Sequence, residues 1–138
     1  MSLRRKTGAR AARYRGEYLS SPAWWERRRV WFETVAAAGQ VAVCQVCGAD
    51  YELKSLDLHH TSYEGVTQDG EGAWVAGEAH EDLMPLCRED HEMIHREFDV
   101  RGRDFRGWDR RHATAVVVIG LRRRRSDEAT TMGDECES

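Results

Sequence analysis

A chain of 138 residues has room for one compact domain and little beyond it. Hydrophobic residues at 41% and charged residues at 33% suit a modest core under a polar surface, and the lack of any run of eighteen apolar residues argues against a membrane-spanning helix. The net charge of −3 conceals segregation: residues 1–31 hold nine Lys/Arg against two acids, residues 101–125 nine against two, and residues 44–99 fourteen acids against three bases.

Residues 1–17 form a basic arm, poor in large apolar side chains and expected to be disordered. Ser20-Ser21-Pro22 then starts a helix, with a Ser N-cap and Pro at the first helical position, where its missing N–H costs nothing. The helix is expected over Pro22–Ala38, with Trp24, Trp25, Val30, Trp31 and Val35 as its apolar stripe, Arg27–Arg29 on the other side and Gly39 as its stop. Leu53–His60 alternates loosely and suits a short strand, whereas residues 61–80, rich in Gly and acids, read as a long loop. Leu83–Leu86 reads as a second strand, with Pro85 confining it to an edge or irregular position.

Arg88–Phe98 reads as a helix with Met93, Ile94 and Phe98 available for packing. Asp109 can N-cap a last helix through Leu121, although the β-branched run Val116–Ile119 also permits a strand. Residues 122–138 join a basic run to an acidic block and are expected to fray into a disordered tail. The fold class is α+β, one domain over 18–121 with disordered ends. The basic start (Arg4, Arg5, Lys6) precedes no apolar signal region, so a cytoplasmic location is expected.

Three groups of residues carry chemistry. Cys44-x-x-Cys47-Gly48 reads as a zinc knuckle, in which a tight turn lets two thiolates converge on one ion; Cys87-x-x-Asp90 supplies a second pair. Ordinary buried thiols are the plain alternative, and Cys136, near the end of the polar tail, is a bystander. His59-His60 stands at the end of a predicted strand, where neighbouring side chains point to opposite faces unless twist brings both to one cleft. His91-x-x-x-His95 is an i, i+4 pair on one helix face, a common way to present two imidazoles to one cation. Either His pair alone is readily a structural pair; together, in one short segment beside cysteines, they favour a site.

The strings Cys44-Gln45-Val46-Cys47-Gly48, Leu56-Asp57-Leu58-His59-His60, Glu81-Asp82-Leu83-Met84-Pro85-Leu86-Cys87 and His91-Glu92-Met93-Ile94-His95 resemble HNH endonucleases, whose ββα-metal motif is framed by a zinc knuckle. Tyr18–Trp24 resembles the helix that often precedes the knuckle in that family. The resemblance covers about Tyr18–Phe98, with the ββα-metal core over 44–98.

The resemblance implies a role for each matching residue. His60 matches the general base that activates water, His59 and His91 match the positions holding the catalytic divalent ion, and His95 matches a position that binds the metal or the scissile phosphate. Asp82 falls where the central Asn of the motif often stands and is expected to orient the loop by hydrogen bonding. Cys44, Cys47 and Cys87 match zinc ligands, while Asp90 replaces the usual fourth cysteine. The loop between His60 and Asp82 is longer than usual and contains His80, which the reading leaves out of the site.

The implied activity is hydrolysis of DNA phosphodiesters, with Mg²⁺, Mn²⁺, Ni²⁺ or Zn²⁺ as the catalytic ion and a structural Zn²⁺ besides. Arg27, Arg28, Arg29, Arg88 and Arg96 are the candidate nucleic-acid contacts, and the run Arg122–Arg125 adds phosphate contacts, since basic flanks suit a polyphosphate. A non-catalytic zinc-knuckle module that binds nucleic acid is the alternative. A thiol redox protein built on Cys44 and Cys47 leaves the clustered histidines unexplained.

Overall fold

The computed structural model describes residues 13–137, with side chains through residue 129. The expected disordered arm falls largely on residues 1–12, outside the described residues; 13–17 belong to a helix, α1, over 13–19. The remaining elements are α2 (Pro22–Ala37), β1 (Leu56–His60), β2 (Val66–Gln68), β3 (Trp74–Ala76), β4 (Leu83–Cys87), α3 (Arg88–Val100) and α4 (Arg110–Glu137). This is a small α+β fold, as the sequence indicates. No described helix is long and apolar enough to cross a membrane.

α2 begins as expected: Ser21 Oγ accepts from Trp24 N at 3.3 Å, and Pro22 occupies the first turn. Its buried face is Trp24, Trp31, Phe32 and Val35, spaced three, four and seven apart. Phe32 replaces two expected members of the stripe, because Trp25 is 58% exposed and Val30 is also exposed.

β1 and β4 pair antiparallel, with Leu56 opposite Cys87, Leu58 opposite Pro85 and His60 opposite Leu83. Pro85 costs this ladder nothing. Its carbonyl faces away from β1 and accepts from Gln45 N at 3.0 Å, and its absent N–H falls on that same outer side. α3 follows β4 without a loop and packs back on both strands, so β1, β4 and α3 form a ββα unit.

Two segments differ from expectation. Residues 61–80 are not a featureless loop: β2 and β3 form a hairpin within them, pairing Val66 with Ala76 and Gln68 with Trp74. Its strands are only three residues long, too short for an alternating pattern to show. Its base is held where Gly65 and Gly77 meet; a Cβ on Gly77 would lie 2.4 Å from the Gly65 carbonyl oxygen, so neither position has room for a side chain.

α4 does not end near Leu121 but continues through Glu137, so 122–137 is helix rather than a disordered tail. Asp109 caps its start, accepting from His112 N at 2.8 Å. The choice between helix and strand for Val116–Ile119 is decided by packing: Ala113, Thr114, Val117, Val118 and Leu121 are buried at helical spacing. Cys136 lies among residues whose side chains are outside the description.

Candidate metal centres

The first centre is built from two segments distant in sequence, the knuckle at 44–47 and the start of α3 at 87–90. Cys44, Cys47, Cys87 and Asp90 place one ligand atom each within 4.8 Å of one another. The knuckle turn closes where Gly48 N donates to the Cys44 carbonyl at 2.8 Å, with Gly48 at φ 74°, a conformation that glycine adopts without strain. Burial pushes the Cys87 thiol up to about 12 and also raises that of Cys44. Both therefore stay protonated without a cation, and each donates to Asp90 Oδ2 at 3.2 Å. Metal ligation exchanges those protons for an ion.

Asp90 is buried, which alone would raise its carboxyl. The hydrogen bond from Arg125 and those from the two thiols outweigh that, and the group titrates below its ordinary value. Arg125 reaches Asp90 Oδ1 at 2.7 Å, leaving Oδ2 turned to the cysteines. A carboxylate so held is a competent fourth ligand, an oxygen beside three sulfurs.

The second centre gathers His59 from β1 with His91 and His95 from α3, again within 4.8 Å. The i, i+4 spacing brings His91 Nε2 and His95 Nε2 to 3.0 Å, and strand alternation turns His59 and Asp57 to the same face of β1. Asp57 Oδ2 lies 3.1 Å from His91 Nδ1. Thr114 Oγ1, on α4, lies 3.0 Å from His59 Nε2, while His59 Nδ1 is buried with no hydrogen-bond partner.

Burial holds His59 well below the usual imidazole range, helped by the neighbouring Arg110 and histidines. Burial and His91 bring His95 down to about 4. Both are thus neutral near pH 7, the form that ligates a metal. An orphaned buried nitrogen and two ring nitrogens 3.0 Å apart fit a shared cation, and three imidazoles suit a transition metal better than Mg²⁺.

His60 does not join that cluster. It lies on the opposite face of β1, 2% exposed, stacked on Tyr63 with ring centroids 4.2 Å apart. Its Nε2 sits 2.7 Å from Glu78 Oε2, which also accepts from Tyr18 Oη at 2.7 Å. Burial alone would raise the Glu78 carboxyl; the bonds from His60 and Tyr18 outweigh it and hold the group below its ordinary value.

Asp82 ties three elements together. Its carboxylate accepts from Arg111 at 2.9 and 3.0 Å, and its carbonyl from Thr61 N at 2.8 Å. His80 is stacked on Trp31 and stands apart from both centres.

The arginines assigned to nucleic acid are largely engaged within the chain. Arg27 donates to the Glu78 carbonyl at 3.1 and 3.3 Å, Arg28 to the carbonyls of Leu53 and Leu56 at 2.8 and 2.7 Å, and Arg29 pairs with Glu26 and Glu33. In the run Arg122–Arg125, Arg122 donates to the Gln45 carbonyl at 2.7 Å, Arg124 pairs with Glu97 and Arg125 with Asp90, so the run straps α4 onto the knuckle. Arg88 is exposed, 3.5 Å from Asp57, and Arg96 is exposed beside Met93.

Sequence reasoning missed Asp57, Glu78, Thr114 and Arg110, the last of which donates to the His60 carbonyl at 2.6 Å. Asp57 alone had a local signal, since it lies two residues before His59 on the same strand face. Scanned against protein-family models, curated proteins and solved structures, the chain matches none of them.

Proposed function

We propose that the chain is a metal-dependent endonuclease of the HNH type that hydrolyses DNA phosphodiester bonds. The observation carrying this reading is the cluster of His59, His91 and His95, with its orphaned His59 Nδ1 and the carboxylate of Asp57 behind His91. Its position on a ββα unit beside a Cys/Asp centre, and the resemblance of the motif strings, support it further.

His59, His91 and His95 would hold the catalytic cation. When bound, that ion supplies positive charge against the phosphate and the leaving oxygen. Asp57 accepts from His91 Nδ1–H and fixes the tautomer that turns Nε2 inward. Glu78 does the same for His60: with Nε2–H donated to the carboxylate, Nδ1 is the unprotonated nitrogen and takes the proton from water. Asp82 keeps Thr61, next to His60, tied to α4 through Arg111. Cys44, Cys47, Cys87 and Asp90 would hold a structural Zn²⁺ that braces the start of α3.

The second reading, a non-catalytic metal-stabilised module that binds nucleic acid, is favoured by the burial of His60 at 2% exposure on the face away from the three histidines. Supercoiled plasmid incubated with Mg²⁺, Mn²⁺, Ni²⁺ or Zn²⁺ separates the two. Nicking that EDTA abolishes, and that His60→Ala lowers by about 10²–10⁴-fold, is the expected result. No cleavage with any metal, from folded protein that binds DNA, would select the second reading.

A further inference from the structure

A cleft of about 440 Å³ opens beside the three-histidine centre, its walls including Arg15, Tyr63, His95, Phe98, Asp99 and Arg110. Two guanidinium groups thus share a small space with one carboxylate, Asp99. Arg110 is placed rigidly at the first turn of α4. Its Nε donates to the His60 carbonyl at 2.6 Å, and its guanidinium carbon lies 5.4 Å from the Tyr63 ring centroid and 5.3 Å from that of Phe98. Arg15 lies over the same Tyr63 ring at 5.6 Å.

Among the described residues no carboxylate pairs with Arg110, whereas Arg111, Arg124 and Arg125 on the same helix each meet an acid. Burial lowers the Arg110 guanidinium from its ordinary value, the sign of a cation held away from water without a counter-charge. A half-buried, rigid and uncompensated guanidinium costs stability unless something anionic completes it.

We infer that Arg110, with Arg15 across the cleft, is a phosphate-binding site that seats a backbone phosphodiester against His95. The planar guanidinium matches two phosphate oxygens, and its Nε anchor to the His60 carbonyl leaves the terminal nitrogens to make that contact. Arg110 is therefore a positioning residue: one side chain grips the backbone beside His60 and the other end of the same group faces the anion. The inference rests on the phosphodiester reading above, and it moves nucleic-acid contact from Arg27–Arg29 to the cleft at the start of α4.

The test is binding of a short fluorescein-labelled DNA duplex to the full chain as purified, with neither chelator nor further divalent ion added, read by anisotropy across a KCl series. Arg110→Gln and Arg15→Gln are each expected to weaken binding about tenfold and to shrink the salt slope by about 1, with Arg110→Lys losing less. Lys54→Gln, at a side chain 82% exposed and not part of the cleft wall, should bind as the wild type does. Thermal melts establish that each variant is folded; if Arg110→Gln is not, Arg110→Lys and Arg15→Gln decide. Folded variants with wild-type affinity and salt slope would overturn the inference. Plasmid cleavage measured in parallel keeps the two claims apart: an Arg110 effect on binding without cleavage by any protein sinks only the nuclease reading, and intact cleavage with no Arg110 effect sinks only the phosphate site.

Discussion

Asp57 and His91 meet at 3.1 Å, carboxylate oxygen to Nδ1, across the junction between β1 and α3. The pair orients one imidazole of the three-histidine cluster. Replacing Asp57 by Asn keeps the shape and removes the charge. The expected outcome is a 10–100-fold loss of metal affinity at the histidine centre, measured by competition with a chromophoric chelator. His80→Ala, at a ring stacked on Trp31 and remote from the cluster, should leave that affinity unchanged.

Glu78 holds His60 Nε2 and Tyr18 Oη at once from the segment that follows β3. Glu78→Gln should lower cleavage to within a few-fold of His60→Ala, and the double variant should be no worse than the single ones, since both remove one functional unit. Gly77→Ala tests the support one residue earlier. Its new Cβ would meet the Gly65 carbonyl at 2.4 Å, so the hairpin base must shift, at a cost of about 1–3 kcal/mol in thermal or urea unfolding.

The two centres should be countable separately. Elemental analysis after dialysis against Zn²⁺ is expected to find one fewer equivalent in Cys44→Ala and in His91→Ala, lost from different sites. Only the cysteine variant should melt at markedly lower temperature, because structural zinc contributes directly to folding. Asp90→Ala should resemble Cys44→Ala, and it additionally strands the buried end of Arg125.

Asp82 carries a pH signature. The hydrogen bond from Arg111 holds its carboxyl below the ordinary value, so the folded state binds its proton less readily than the unfolded chain does. Such a group contributes stability that is complete above the unfolded value of about 4 and is lost as pH falls through the lower folded value. The stability difference between the wild type and Asp82→Asn should therefore be level at about 1 kcal/mol above pH 4, given the half-exposed Arg111, and shrink below it. Urea unfolding of both proteins across pH 3–7 measures this.

Local chemistry by itself determined a good deal here. The Ser-Pro start of α2, the paired cysteines around a tight turn, the two short strands and the i, i+4 histidines are all written in neighbouring residues, since capping, turn closure and helical periodicity act over a few positions. The small hairpin was illegible because three-residue strands offer no period to read, and its existence depends on two glycines twelve positions apart approaching backbone to backbone. The extent of α4 was equally hidden. Arg122–Arg125 beside an acidic block looks like a solvated tail until Gln45, Glu97 and Asp90 are seen beneath it.

The tertiary structure alone decided which partners each histidine meets. β1 places His59 and His60 on opposite faces, and the partners that set their roles arrive from elsewhere: Thr114 and Arg110 from α4, Glu78 from beyond β3. Charges fifty positions apart in the chain carry no mutual signal in the sequence, yet at 3 Å in a poorly hydrated interior they determine protonation and tautomer. The same proximity converted Arg27 and Arg28 from apparent phosphate ligands into staples for backbone carbonyls, and among the described residues it left Arg110 on the His60 carbonyl rather than on an acid.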